Sequence, residues 1–217
     1  HLITARDGQQ TFCRSLTETI SALEYELNSA IATAHDDYLH LHAAGAVNDG
    51  RAVLALGASG AGKSSLAMAW ATMGNAVLGD DLVLIDSNAD AAPFKRMFKV
   101  TREQLTRFGI EPSSSPFWDP DAAEAWYDPE CGSSWAQPAG VALLAFVQQS
   151  DGSQLGIEPM NRAEALNSLL SCVMDTGMRP SEGFDRLLSL TESCRFYRVE
   201  FRSSMEAAKA LCDLANE

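Results

Sequence analysis

The apolar positions of this chain follow two periods. Leu16, Ile20, Leu23, Leu27 and Ile31 recur at helical intervals, and Ser15-Leu16-Thr17-Glu18 has the spacing of a capping box. Together they predict a helix over roughly 15–34. Tyr38-Leu39-His40-Leu41-His42 then alternates as a strand does, Asn48-Asp49-Gly50 marks a turn, and Ala52-Val53-Leu54-Ala55-Leu56 reads as a buried strand. A glycine-rich stretch follows, and after it a helix-forming run over 64–73 that ends at Gly74-Asn75. Ala76-Val77-Leu78 opens another strand, and Leu82-Val83-Leu84-Ile85 continues the apolar run beyond two aspartates. A central strand is expected over 141–147, helices over 161–174 and 204–215, and a strand over 196–201 between them. Strands alternating with helices predict an α/β fold.

Residues 111–138 depart from that pattern. They hold Pro112, Pro116, Pro120, Pro129 and Pro138 together with Trp118, Trp126 and Trp135, and they contain no arginine. Prolines at this density prevent long regular elements. The segment is expected to be irregular, either as a lid over bound substrate or as a surface excursion anchored by its tryptophans. The rest of the chain has the length and apolar content of one core, so residues 1–217 are expected to form a single domain, with 1–35 as an N-terminal appendage.

Charge and cysteine content narrow the partners. With 16 basic and 29 acidic side chains the formal net charge is −13, which repels nucleic-acid phosphates and anionic lipid as main partners. No apolar run has the length to span a membrane, and the opening residues have no signal-like pattern. Cys13, Cys131, Cys172, Cys194 and Cys212 form no CxxC pair, so neither a disulfide framework nor a zinc site is expected, and a reducing, cytoplasmic setting is. A homo-oligomer is left open.

Residues 57–64 read Gly-Ala-Ser-Gly-Ala-Gly-Lys-Ser, a complete P-loop between a predicted strand and a predicted helix. Consecutive backbone N–H groups can surround a triphosphate only where the chain turns tightly and no Cβ intervenes, the freedom that Gly57, Gly60 and Gly62 supply. Lys63 is expected at the β and γ phosphates and Ser64 at Mg²⁺. The helix beginning there adds its positive end. The expected nucleotide-binding set is therefore Gly57, Ala58, Ser59, Gly60, Ala61, Gly62, Lys63, Ser64 and Ser65, with ATP as the phosphoryl donor.

The loop specifies a nucleotide rather than a reaction. Asp80-Asp81 falls where the next strand ends or bends, and two carboxylates beside a phosphate site can divide labour, one near Mg²⁺ and one accepting a proton from an attacking hydroxyl. Adjacent strand residues face opposite ways, so sharing a site requires a strand end or bulge, for which Gly79 is suited. Ser64, Asp80 and Asp81 are the candidate metal ligands, and Asp86 is the rival, in the ordinary place of a Walker B aspartate. His42 closes the strand before the loop strand. The two strands are expected to pair as a hairpin, placing His42 near the mouth of the site and within hydrogen-bond reach of Asp80 or Asp81. His40 resembles it but would lie deeper. Lys95, Arg96 and Lys99 form the densest basic cluster, for which an exposed strand end is preferred over a role toward an acidic peptide or a phosphate.

This arrangement resembles the kinase domain of HPr kinase/phosphorylase and its relatives. The resemblance lies in Leu41-His42-Ala43-Ala44-Gly45, then residues 57–64, then Gly79-Asp80-Asp81-Leu82-Val83, and it covers about residues 38–86. Asp128-Pro129 and the strand at 141–147 are more loosely similar to HPr-kinase-related proteins, including lasso-peptide kinases. The resemblance implies a P-loop domain with a mixed central sheet, akin to HPr kinase and phosphoenolpyruvate carboxykinase. It further implies a serine kinase in which one of Asp80 and Asp81 is the general base, the other lies near Mg²⁺, His42 partners them, and Lys63 serves the phosphates. No counterpart of the family's downstream glycine-rich signature segment is present, so neither phosphorylase activity nor HPr as substrate is carried over. The expected activity is ATP-dependent phosphorylation of a serine hydroxyl on a peptide or protein. The alternatives are a small-molecule kinase of the shikimate or gluconate kinase type, against which the lack of an arginine-rich lid counts, and a nucleotide-binding module without turnover.

Overall fold

The computed structural model describes residues 2–4, 8, 10–117, 119, 121–152, 154–174 and 178–217. Trp118 and Pro120 lie outside the described residues. A short hairpin, β1 (Leu2–Thr4) and β2 (Gln10–Phe12), precedes helix α1 (Leu16–Ala34). The strands β3 (Leu39–Leu41), β4 (Ala43–Asn48) and β5 (Arg51–Leu56) follow, then α2 (Lys63–Thr72). Next come β6 (Ala76–Gly79), β7 (Val83–Ile85), β8 (Asp90–Pro93), β9 (Phe98–Thr101) and α3 (Arg102–Arg107). The chain continues through β10 (Glu124–Tyr127), β11 (Ala139–Gln149) and β12 (Gly156–Pro159). It ends with α4 (Arg162–Leu170), α5 (Pro180–Ser193), β13 (Arg195–Phe201) and α6 (Ser204–Ala215).

The fold is mixed α/β. Its main sheet has nine strands, running β3-β7-β8-β11-β5-β4-β6, with β13 on β11 and β12 on β13. At its centre β11 lies parallel to both β5 and β13, whereas β3, β4, β6, β7, β8 and β12 join antiparallel. The sheet is therefore mixed. Layers on its two faces bury two apolar clusters, one under α2 and α6 and one under α4 and α5. Helix α2 is apolar nearly all round, as a helix enclosed by its neighbours must be. Trp70 is fully buried there, and its Nε1 donates to the Ala208 carbonyl of α6 at 3.2 Å.

The expected hairpin is corrected. Leu39–Leu41 pairs with β7, the chain breaks register at His42, and β4 is the strand that forms the hairpin with β5. Ala43-Ala44-Gly45-Ala46 lacks the branched or aromatic residues that mark strands, yet its small side chains suit a fully buried position. Helix α5, strands β8, β9, β10 and β12, and α3 were also not foreseen. The described residues of 111–138 carry only short elements, as prolines at this density require. They are anchored through Trp126, which is buried, and Trp135, which bridges to Val77 at the β6 edge.

Candidate functional site

The glycine loop connects central strand β5 to α2. Gly62 stands at φ 98° as the residue before the helix, and a Cβ there would lie 2.6 Å from Phe201 Cζ. A Cβ on Gly57 would lie 2.7 Å from the Val147 carbonyl oxygen. Gly57 also has a positive φ, 156°, so both positions require glycine through backbone conformation and close approach together. The loop is held to the sheet by the Gln149 N–H, which donates to the Ala61 carbonyl at 2.9 Å. The Lys63 ammonium donates to the carbonyls of Gly57 and Ala58 at 2.8 and 3.0 Å. Burial lowers its pKa, a tendency opposed by the nearby Asp81.

Asp80 and Asp81 lie in the bend between β6 and β7. Gly45 pairs with Gly79 while Ala46 pairs with Val77, so Leu78 is the extra residue of a bulge at the end of β6. The bend after it lets neighbouring carboxylates share one locality despite the strand pleat. The Arg96 guanidinium reaches both, at 3.3 Å from Asp80 Oδ1 and 3.1 Å from Asp81 Oδ2. His42 Nδ1 lies 2.9 Å from Asp81 Oδ1 and 3.1 Å from the Asp81 carbonyl oxygen. Both of these atoms are acceptors, so the ring carries its proton on Nδ1 and donates to them.

The two carboxylates differ in environment. The Asp80 side chain is 2% exposed, and burial pushes its pKa up to about 6 against the opposing pull of Arg96. The Asp81 side chain is 43% exposed, and the hydrogen bond from His42 lowers its pKa despite partial burial. Two acids held apart in this way are a recurrent feature of acid–base sites.

A cavity of about 190 Å³ brings together Ser59, Lys63, Ser64, His42, Asp81 and Gln104. That volume suits a phosphate group rather than a whole nucleotide. Ser65 Oγ accepts from Gln104 Nε2 at 3.0 Å, which ties α3 to the loop. Of the candidates drawn from the sequence, Asp80 lies behind this cavity rather than on it. Asp86 lines neither this cavity nor a second one, of about 530 Å³, that Asp81 also lines. Its Oδ1 accepts from the N–H groups of Asn88 and Asp90 at 2.8 and 3.0 Å, closing the β7–β8 turn. His40 is buried, with Nε2 3.0 Å from the His35 carbonyl oxygen, and burial lowers its pKa.

Three residues here were not assigned to the site from sequence. Arg96 belonged to the basic cluster read as an exposed strand end. Lys95 is exposed, and Lys99 pairs with Glu124 at 2.8 Å, but Arg96 turns inward. Gln104 and Gln149 carry no sequence signal, since a lone glutamine has no spacing to betray it.

Mg²⁺ takes oxygen ligands and is ordinarily held by one or two carboxylates or hydroxyls together with substrate phosphates. Ser64 and Asp81 on one cavity wall match that donor set. Among the described residues no group of three His, Cys, Asp or Glu side chains could hold a metal by itself. No disulfide forms among the described residues, and none of their helices is long and apolar enough to cross a membrane. No protein-family model matches the chain, and a search of curated proteins finds no similar sequence.

Proposed function

We propose that this protein is an ATP-dependent kinase that phosphorylates a serine hydroxyl of a peptide or protein, in the manner of the HPr-kinase-like enzymes it resembles. One observation carries the reading. Asp81 is the residue shared by the cavity at the glycine loop and a second cavity, of about 530 Å³, under α1. A carboxylate between a phosphoryl-donor site and a second site is where a base for an incoming hydroxyl belongs.

The loop N–H groups and Lys63 hold the triphosphate, with Lys63 leaving the Gly57 and Ala58 carbonyls for the phosphate oxygens. Mg²⁺ would be held by Ser64 together with the phosphates, close to Asp81, and would supply charge neutralisation there. The serine oxygen attacks the γ-phosphorus as the bond from that phosphorus to the β–γ bridging oxygen breaks, and ADP departs. The hydroxyl proton passes to Asp81. His42, donating from Nδ1 to Asp81, orients the carboxylate and holds it in its charged, proton-accepting form. Arg96 keeps two neighbouring acids from repelling each other and holds Asp81 toward the seam. Asp80 anchors Arg96 from the buried side.

Incubation with ATP, Mg²⁺ and a serine-containing peptide library, followed by mass spectrometry, tests the reading. Phosphoserine is expected from the wild type. Lys63→Ala is expected to weaken ATP binding at least about tenfold, because it removes a charge-assisted contact of about 1.5–3 kcal/mol. Transfer to small hydroxy acids alone would identify a small-molecule kinase. ATP binding with no transfer to any acceptor would leave a nucleotide-binding module.

A further inference from the structure

The cavity under α1 has its own construction. One wall is the inner face of α1, including Tyr25, Asn28 and Ala32; the floor is Leu82 and Phe94; Asp81, Arg96 and Lys99 close the far side. Its volume of about 530 Å³ lies within the range of small-ligand pockets. Leu82 and Phe94 belong to an apolar cluster against which Ala32 packs, so the floor is firm and apolar. The helix is tied down by side chains of residues 111–138. Trp126 Nε1 donates to Glu24 at 2.7 Å, and the Thr17 hydroxyl donates to Asp119.

We infer that this cavity is the acceptor site and that it reads an uncharged amide group next to the reacting hydroxyl, with α1 as the recognition wall. The inference rests on the reading that the glycine loop holds the phosphoryl donor. Its first support is the pairing of both cations, Arg96 and Lys99, that the described residues place on the wall. Arg96 is committed to Asp80 and Asp81, and Lys99 to Glu124, while Glu24 adds a further negative charge. Among the described residues a carboxylate or phosphate on the guest would find no uncommitted cation here, and burying an unpaired charge is costly. The second support is Asn28. Its Nδ2 is shielded from solvent and has no hydrogen-bond partner among the described residues. A buried amide left unpaired is costly, and rotation about χ2 turns either of its polar ends to the cavity. A peptide amide, which offers both C=O and N–H, pairs with whichever polar end of Asn28 is turned to the cavity, and its apolar faces suit Leu82 and Phe94.

The test uses the full chain saturated with Mg²⁺ and ADP, and N-acetylserine amide as the probe, with binding followed by NMR on the backbone amides of Leu82 and Phe94, which line the cavity in every variant. Saturable shifts are expected. Binding should fall about fivefold in Asn28→Ala, the usual effect of losing one neutral hydrogen bond, and should be abolished in Ser29→Trp, which fills the cavity from an exposed helix position. Both substitutions lie on an unburied helix and should leave nucleotide affinity unchanged. N-acetylserine, with its free carboxylate, should bind at least about fivefold more weakly than the amide. Equal or tighter binding of the carboxylate overturns the inference. So does probe binding indifferent to both substitutions, or no probe binding by a chain that still binds ADP. If the amide binds as described but nucleotide does not bind at the loop, the amide site stands and the kinase reading fails.

Discussion

Two helices border the site in opposite ways. Helix α2 follows the glycine loop and buries eight of its ten residues, among them Trp70. Helix α1 is nearly twice as long, with 19 residues, and buries none; Leu16, Leu23, Tyr25 and Leu27 are all more than half exposed. The first is fixed by packing and can hold a strained loop to the precision that phosphate binding needs. The second is attached by a few side-chain contacts and adds little to the core. On the proposed reading, a site assembled from one firm and one lightly held wall keeps the donor half constant while the acceptor half adjusts.

The contrast predicts where substitutions act. Trp70→Ala should destabilise the fold by about 3–5 kcal/mol, the usual cost of emptying a large buried aromatic site, as measured by urea unfolding. A loss below about 1 kcal/mol would show that α2 is not the firm wall. On the seam between the two regions, Asp81→Asn should lower turnover about 10²–10⁴-fold with ATP affinity nearly intact. If Asp80→Asn or Asp86→Asn alone had that effect, the base has been placed on the wrong carboxylate.

The buried acid offers a pH signature. The folded pKa of Asp80 is raised to about 6, above that of the unfolded chain, so the folded state holds the proton more tightly. The stabilisation is full below the unfolded pKa, near 4, and is lost as pH rises to 6, a decline on the order of 3 kcal/mol. Asp81, lowered instead, contributes stability at neutral pH that is lost as pH falls below its ordinary range. Denaturation series between pH 4 and pH 6 should slope downward in the wild type and flatten in Asp80→Asn. A wild-type curve without that slope would mean Asp80 is ionised throughout. The smallest effect belongs to α1: Leu27→Ala should change stability by less than about 0.5 kcal/mol, since it removes a side chain already in water. A larger loss would mean that α1 is covered by a partner.

Legibility followed the same division. The helix over 15–34 was readable, and Ser15 does accept from the Glu18 N–H, but its exposure was not, because amphipathic spacing shows that a stripe exists and not that anything meets it. Residues 1–35 read as an appendage, whereas α1 supplies one wall of a cavity that reaches Asp81. Helix α5 escaped because its N-cap, Arg179, makes no side-chain cap, Gly183 weakens its first turn, and only its later turns carry buried residues. Strand β4 escaped because alanine and glycine carry almost no strand preference of their own.

The sequence alone determined the local chemistry: a glycine loop between strand and helix, a lysine and serine following it, an acid pair after a flexible residue, and a histidine ahead of them. These are short-range matters, decided by backbone freedom and residue type within a few positions. Tertiary structure alone decided which side chains meet. It turned Arg96 rather than Lys95 inward, left Asp86 to close a turn, buried Asp80 while exposing Asp81 on the seam of two cavities, and set α1 beside the aspartates. The physical reason is that these outcomes depend on strand order and on the bulge at Leu78. Both arise from the competition of distant segments for one core, which no local pattern records.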